Sequence, residues 1–140
     1  MRYLLDTNIC IFIINHQPPL VRARFERVPV GEIGISSVTL SELHYGAARS
    51  GKPTQNMKAL RKFLLPLDVL AYDEQAAERY GQLRASLEMA GTPIGPMDLM
   101  IAAHALSARL TVVTNNRREF DRVPGLVTED WSHPKDGVGR

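Results

Sequence analysis

Short apolar runs alternate with longer amphipathic segments along this chain. The apolar runs have the length of buried strands, and the first two are followed at once by residues that commonly cap the start of a helix. Four strands are predicted on this basis, near residues 2–5, 32–37, 69–72 and 110–113.

Helices are predicted between these strands. Residues 9–14 are rich in β-branched side chains, yet they follow the capping residues Asp6, Thr7 and Asn8 and precede a proline pair, which favours a short buried helix. Proline, glycine and capping signals bound the other amphipathic segments. These further helices are predicted over residues 19–27, 38–49, 54–64, 74–90 and 97–108.

Strands that alternate with helices predict an α/β layer fold with a central, mostly parallel sheet, because parallel strands need helical crossovers. At 140 residues and 15.6 kDa, the chain has the size of one ordinary domain. We expect a single domain over residues 1–132, followed by a flexible C-terminal tail over 133–140.

Cysteine content and hydropathy indicate a cytoplasmic protein. The single thiol, Cys10, excludes an intrachain disulfide framework and a cysteine-based zinc site. Asp6, Asn8 and Asn15 interrupt the apolar N-terminus, which is unlike a signal peptide. No uninterrupted apolar run approaches the roughly 20 residues of a membrane span, so no membrane partner is expected.

Charge is unevenly distributed along the chain, although the formal net charge is only +2. Residues 1–66 carry nine basic and four acidic side chains, whereas residues 67–140 carry eight basic and eleven acidic ones. A basic N-terminal half fits a polyanionic partner. An ordinary solvated surface fits it equally well.

Polar residues follow the predicted strands where ligands collect in open parallel sheets, at the carboxyl ends. Asp6 follows the first strand, Glu42 lies on the helix after the second, Asp98 begins an apolar helix, and Asn116 follows the fourth strand. Each residue alone is explained by an ordinary structural role, as a helix cap, a solvent-facing side chain or a turn former. Together they make a hard oxygen site suited to Mg²⁺ or Mn²⁺.

Other common sites lack their sequence patterns. The four histidines have no zinc-binding spacing, and the chain has no phosphate-binding glycine loop, dinucleotide fingerprint or nucleophile elbow. These absences argue against a nucleoside triphosphatase, a dinucleotide enzyme and an α/β-hydrolase.

Four segments together resemble the PIN-domain ribonucleases of the VapC toxin type. They are LLDTNICIFII, ISSVTLSELHYGA, GTPIGPMDLMIAAHA and VVTNNRREFDRVPGLVTEDW, and the resemblance covers residues 1 to about 132. It is closest to the branch of tRNA(fMet)-specific endonucleases. The implied fold is a PIN-like three-layer one, with a sheet of four to five strands flanked by helices.

The resemblance implies a Mg²⁺-dependent endoribonuclease, with Mn²⁺ as a substitute ion. Its catalytic and metal-binding positions map onto Asp6, Glu42 and Asp98. The fourth family position, often Asp, is Asn116 here, which removes one negative charge and would weaken a second metal site. The residues expected to support the cluster are Thr7, Asn8, Thr114 and Asn115. We expect Asp121, five residues beyond Asn116, to be a surface charge beside Arg122.

Partners follow from the same resemblance. They are RNA, with the anticodon stem-loop of initiator tRNA as the expected target, a VapB-type antitoxin that blocks the acidic site, and a second copy of the chain in a homodimer and a toxin–antitoxin hetero-oligomer. The candidate side chains for guiding RNA phosphates are Arg22, Arg24, Arg49, Lys52, Arg117 and Arg118. Large apolar side chains could face another chain or pack in the core, namely Leu60, Phe63, Leu64, Leu83 and Leu87.

Three other interpretations compete with an RNA-cleaving enzyme. The substitution of Asn116 leaves room for a catalytically weak PIN-like RNA-binding or regulatory module. The same acidic cluster would also suit a metal-dependent nuclease that acts on single-stranded DNA. A phosphatase is disfavoured because the segment Asp6-Thr7-Asn8 lacks the second Asp of a nucleophilic DxD pair.

Overall fold

The computed structural model describes residues 1–134. Of the tail predicted over 133–140, residues 135–140 therefore lie outside the described part. The elements in chain order are β1 (Tyr3–Leu5), α1 (Thr7–Asn15), α2 (Pro19–Arg27), β2 (Ile33–Ser36), α3 (Ser37–Ala48), α4 (Pro53–Leu64), β3 (Asp68–Leu70), α5 (Glu74–Met89), α6 (Pro96–Ala108), β4 (Thr111–Val113), α7 (Arg117–Phe120) and β5 (Thr128–Glu129).

The strands form one sheet in the order β3-β2-β1-β4-β5, and every neighbouring pair is parallel. The central strand β1 aligns Tyr3 with Ile33 of β2 and with Thr111 of β4. The predicted α/β fold with a parallel sheet of four to five strands is confirmed. Its carboxyl edge brings together the residues that follow β2, β1 and β4.

Helix α1 forms in a segment whose residues favour strands. The Asp6 side chain caps it by accepting a hydrogen bond from the Ile9 amide at 2.9 Å, and Ile9, Cys10 and Ile13 are fully buried. A β-branched residue costs a helix only about 0.5 kcal/mol, whereas burying an Ile side chain contributes about 2 kcal/mol. Capping and burial therefore outweigh propensity, and the predicted short helix is confirmed.

Two apolar clusters cover the two faces of the sheet. Tyr3 and Leu5 pack with residues of α1, α2, α3 and α4, while Leu4, which points to the opposite face of β1, packs with residues of α5, α6 and α7. This arrangement gives three layers, helix, sheet and helix. The large apolar side chains considered for contact with another chain belong to these clusters instead: Leu60, Phe63, Leu83 and Leu87 are buried, and Leu64 packs partly buried against them.

The structure departs from the expected elements at the two edges of the sheet. The third strand ends at Leu70 rather than at residue 72, because the Tyr72 amide donates to the Ser37 hydroxyl at 2.9 Å, outside the strand ladder. Helix α7 and strand β5 have only four and two residues, too few for a periodic pattern. Across residues 1–134 no helix is both long and apolar enough to cross a membrane.

Candidate active site

Asp6 lies at the centre of the carboxyl edge, directly after β1. Its side chain is only 3% exposed, caps α1 through the Ile9 amide, and is hydrogen-bonded to Thr114, which directly follows β4. Burial raises the pKa of the Asp6 carboxyl to about 6 against these hydrogen bonds, and the negative charges of Asp98 and Asp130 add to the rise. A positive charge at this position would therefore be strongly favoured.

Asp98 faces the same edge from the first turn of α6, where Pro96 starts the helix. Partial burial raises the pKa of the Asp98 carboxyl to about 6, and the negative charges of Glu119 and Glu42 raise it further. A hydrogen bond from Asn116 Nδ2 to Asp98 Oδ2, 3.4 Å long, acts in the opposite direction. Asp98 therefore shares one electrostatic environment with the carboxylates of α3 and α7.

Glu42 is held in place from the neighbouring helix. The Thr7 hydroxyl in the first turn of α1 donates a hydrogen bond to Glu42 Oε1 on α3. The Thr7 hydroxyl thus contacts Glu42, and Thr114 contacts Asp6. The other two expected supports, Asn8 and Asn115, are exposed, and within residues 1–134 no hydrogen bond joins their side chains to the carboxylates.

Glu119 is a fourth carboxylate that the sequence reasoning missed. Asn116 Nδ2 lies 3.4 Å from both Asp98 Oδ2 and Glu119 Oε2, and Glu119 Oε1 accepts a hydrogen bond from the Gly95 amide ahead of α6. Glu119 therefore returns to the cluster the negative charge that Asn116 lacks. Its position three residues after Asn116, on one face of a helical turn, was the available signal.

Asp121 is paired away from the four carboxylates. It accepts a hydrogen bond from the Thr128 hydroxyl at 2.9 Å and lies 3.9 Å from the Arg117 guanidinium. Its expected neighbour Arg122 instead donates to the Pro93 carbonyl at 2.7 Å. The surface charge is therefore balanced by Arg117 rather than by Arg122.

Two of the six candidate RNA-guiding residues have structural roles. Arg24 lies 3.5 Å from Glu129, with both side chains 14% exposed, and its guanidinium stacks 5.5 Å from the centre of the Trp131 ring. Arg22 donates to the Ile13 carbonyl at 2.8 Å and pairs with Glu26 at 3.3 Å. Arg24 is thus largely withdrawn from the surface, because it joins α2 to the C-terminal segment.

The other four candidates are more accessible. Arg117 is shared between Asp121 and the Thr128 hydroxyl. Arg49, Lys52 and Arg118 are exposed, and no ion pair to a carboxylate involves them within the part of the chain that the structure describes. These three cations remain the best placed to meet phosphate groups.

The donor atoms of this edge are of the type that a hard divalent cation prefers. Four carboxylates and one amide are spread along this edge, and two of the carboxyl groups have a pKa of about 6. Within residues 1–134, no three Asp, Glu, His or Cys side chains converge closely enough to hold a metal ion by themselves. Mg²⁺ keeps several of its waters and binds through one or two carboxylates, so the cluster fits such an ion.

The fold and the sequence are those of a known nuclease class. Residues 3–126 match the sequence profile of the PIN domain, so the chain belongs to the PIN-domain family.

Relatives refine this assignment to one group within the family. The chain is 53% identical over 132 residues to the tRNA(fMet)-specific endonuclease VapC of Shigella flexneri, covering 94% of this chain and 99% of that one. The crystal structure of DNA-bound VapBC from Salmonella typhimurium superimposes with a TM-score of 0.88 at 50% identity, over 94% and 98% of the chains. The crystal structure of VapBC2 from Rickettsia felis, bound to a DNA fragment from the promoter, superimposes with a TM-score of 0.88 at 41% identity. The match covers 94% of this chain and 99% of that one. The chain is a VapC-type member of the family, as its sequence motifs predicted.

Proposed function

We propose that this protein is a Mg²⁺-dependent endoribonuclease toxin of a VapBC module, and that it hydrolyses a phosphodiester bond in the anticodon stem-loop of initiator tRNA. The observation that carries the proposal is the acidic edge, where Asp6 and Asp98 both have a pKa raised to about 6. Such a cluster costs the fold stability and is explained by the binding of a cation. The initiator tRNA as target rests on the likeness to the Shigella flexneri endonuclease.

In the proposed mechanism, Asp6 and Asp98 would hold the ion, which keeps several of its waters, and Glu42 and Glu119 would add negative charge around it. A divalent ion bound there supplies positive charge that polarises a phosphoryl oxygen and makes water more acidic. The Asn116 amide lies between Asp98 and Glu119 and can donate a hydrogen bond to each of them. Thr7 fixes Glu42, and Thr114 fixes Asp6, so the carboxylates are oriented before the RNA arrives.

Proposed partners follow from the relatives. The Salmonella typhimurium and Rickettsia felis structures are VapBC complexes, which supports a VapB-type antitoxin that blocks the acidic edge of this chain. A homodimer, and a hetero-oligomer with the antitoxin, are part of the same proposal. Because tRNA is found in the cytoplasm, the proposed substrate implies a cytoplasmic protein.

Cleavage by the purified protein tests the function and its metal dependence. We expect initiator tRNA to be cut with Mg²⁺ or Mn²⁺, to stay intact with EDTA, and to stay intact with the Asp98→Asn variant. Adding the cognate antitoxin should stop cleavage. Cleavage that survives EDTA and Asp98→Asn in a folded protein would refute the proposed site.

The same assay separates the two other candidate activities. Single-stranded DNA of the anticodon-loop sequence serves as the second substrate, and preferential cleavage of it would favour a DNA nuclease. RNA binding without cleavage in Mg²⁺ would favour the non-catalytic module. The non-catalytic module was suggested by the negative charge that is missing at Asn116. Glu119 supplies a negative charge at that place, which supports a catalytic protein.

A further inference from the structure

Tyr45 is an exposed aromatic residue on the helix that carries Glu42. Its side chain is 65% exposed. Within residues 1–134, every other Phe, Tyr and Trp is buried or half-buried. A rigid aromatic ring left in solvent next to a candidate active site is a surface feature of the kind that marks binding sites.

Arg49 covers part of the Tyr45 ring. Tyr45 lies three positions after Glu42 on the same face of α3, and Arg49, the residue that ends this helix, follows Tyr45 by four positions. The Arg49 guanidinium lies 5.6 Å from the ring centre, and in the described part of the chain it forms no ion pair with a carboxylate. This pair, the Tyr45–Arg49 platform, combines a flat ring with an uncompensated positive charge.

A groove opens beside Glu42 on α3. Glu42 and Gly46 line it together with residues of α1 and α4, and its volume is about 270 Å³. A Cβ atom added at Gly46 would meet nothing within 4 Å, so the helix surface beside the Tyr45–Arg49 platform is open. Lys52, also exposed, adds a second cation just beyond Arg49. A chain with negative phosphates and flat bases complements this surface.

On the basis of the proposed ribonuclease function, we propose that the Tyr45–Arg49 platform stacks one unpaired nucleobase of the RNA beside the scissile phosphate. Proteins that recognise single-stranded RNA stack unpaired bases on aromatic rings and arginine planes. Bases within a double helix are already stacked on each other, so only loops and other unpaired segments can use the platform. The platform would thereby select the unpaired part of a structured RNA as the place to cut.

Equilibrium binding of an anticodon stem-loop oligonucleotide tests the platform apart from catalysis. All variants are made in the Asp98→Asn background, which is expected to bind RNA without cutting it. We expect Tyr45→Ala to raise the Kd about 10-fold, and Tyr45→Phe, which keeps the ring, to change it less than about 2-fold. Met89→Ala removes an apolar side chain that is 88% exposed on α5, and it serves as the matched control with no expected effect.

Abasic substitutions in the loop identify the stacked base. One abasic position should raise the Kd about 10-fold for the protein with Tyr45, and the same substitution should have little further effect in Tyr45→Ala. In the protein with Asp98 intact, Tyr45→Ala should raise the KM for RNA more than it lowers kcat.

Three results would overturn the proposal. The first is an unchanged Kd for Tyr45→Ala. The second is an abasic substitution that raises the Kd equally in the protein with Tyr45 and in Tyr45→Ala. The third is a defect of Tyr45→Ala that is confined to dimer formation or antitoxin binding. Failure of the ribonuclease function itself is recognised separately, because the unaltered protein would then leave the stem-loop intact in Mg²⁺.

Discussion

Asp6→Asn should stabilise the metal-free protein while removing its activity. The asparagine side chain keeps the shape of the cap, since its oxygen can accept the hydrogen bond of the Ile9 amide and its NH2 group can donate to the Thr114 hydroxyl. It cannot carry the charge whose burial raises the pKa of Asp6 from 3.8 to about 6. At 1.36 kcal/mol per pKa unit, that difference corresponds to about 3 kcal/mol in the free energy of unfolding at neutral pH.

The sign of the effect determines its pH dependence. A carboxyl group with a raised pKa in the folded state favours folding fully below pH 4 and loses that contribution as the pH rises through about 6. The variant should therefore match the unaltered protein near pH 4 and exceed it above pH 6. With EDTA present, the expected gain at pH 7.5 is about 2–3 kcal/mol, or about 5–10 °C in Tm.

Urea unfolding at pH 4, 5, 6 and 7.5, followed by circular dichroism, measures this difference directly. Excess Mg²⁺ should reduce the difference in the free energy of unfolding between Asp6→Asn and the unaltered protein at pH 7.5, because the ion stabilises the protein that retains Asp6. A variant that is no more stable at pH 7.5, or a gain of the same size at pH 4, would refute the reasoning about the buried charge.

Substitutions at three further positions test the supports of the site and the fold. Glu119→Gln should lower the rate of RNA cleavage about 10- to 100-fold with the fold retained, and a rate within about 2-fold of normal would exclude a role of Glu119 in cleavage. Thr7→Val should lower the rate about 10-fold because Glu42 loses its hydrogen-bond donor, and Thr7→Ser should recover it. Trp131→Ala should lower the free energy of unfolding, measured in urea, by about 3–5 kcal/mol, since the ring is fully buried and its Nε1 donates to Glu129 at 2.9 Å. A decrease of less than about 1 kcal/mol would contradict this structural role.

Much of the site could be predicted because it depends on local signals and one rule of topology. The residues that follow β1 and β4, and the first turn of α6, must meet when the strands are parallel and the crossovers are helical. Asp6 and Asp98 were predicted in this way, and the structure couples them electrostatically. The capping residues after the first strand also predicted α1 against its β-branched composition.

The missed features depend on short elements or on distant contacts. Glu119 lies on a helix of four residues, which has no amphipathic period to detect. Arg24 looked like a free surface cation, because Glu129 and Trp131, which engage it, lie more than one hundred residues further along the chain. Only the tertiary structure brings these groups together.

Mapping of RNA 5′ ends in cells tests the central claim most directly. The protein is expressed briefly, and the 5′ ends of total RNA are sequenced beside those from cells that express Asp98→Asn at an equal level. We expect one dominant new end, in the anticodon stem-loop of initiator tRNA, that is absent with Asp98→Asn. The same new ends in both samples, or no new end in either, would contradict a ribonuclease built on this acidic edge.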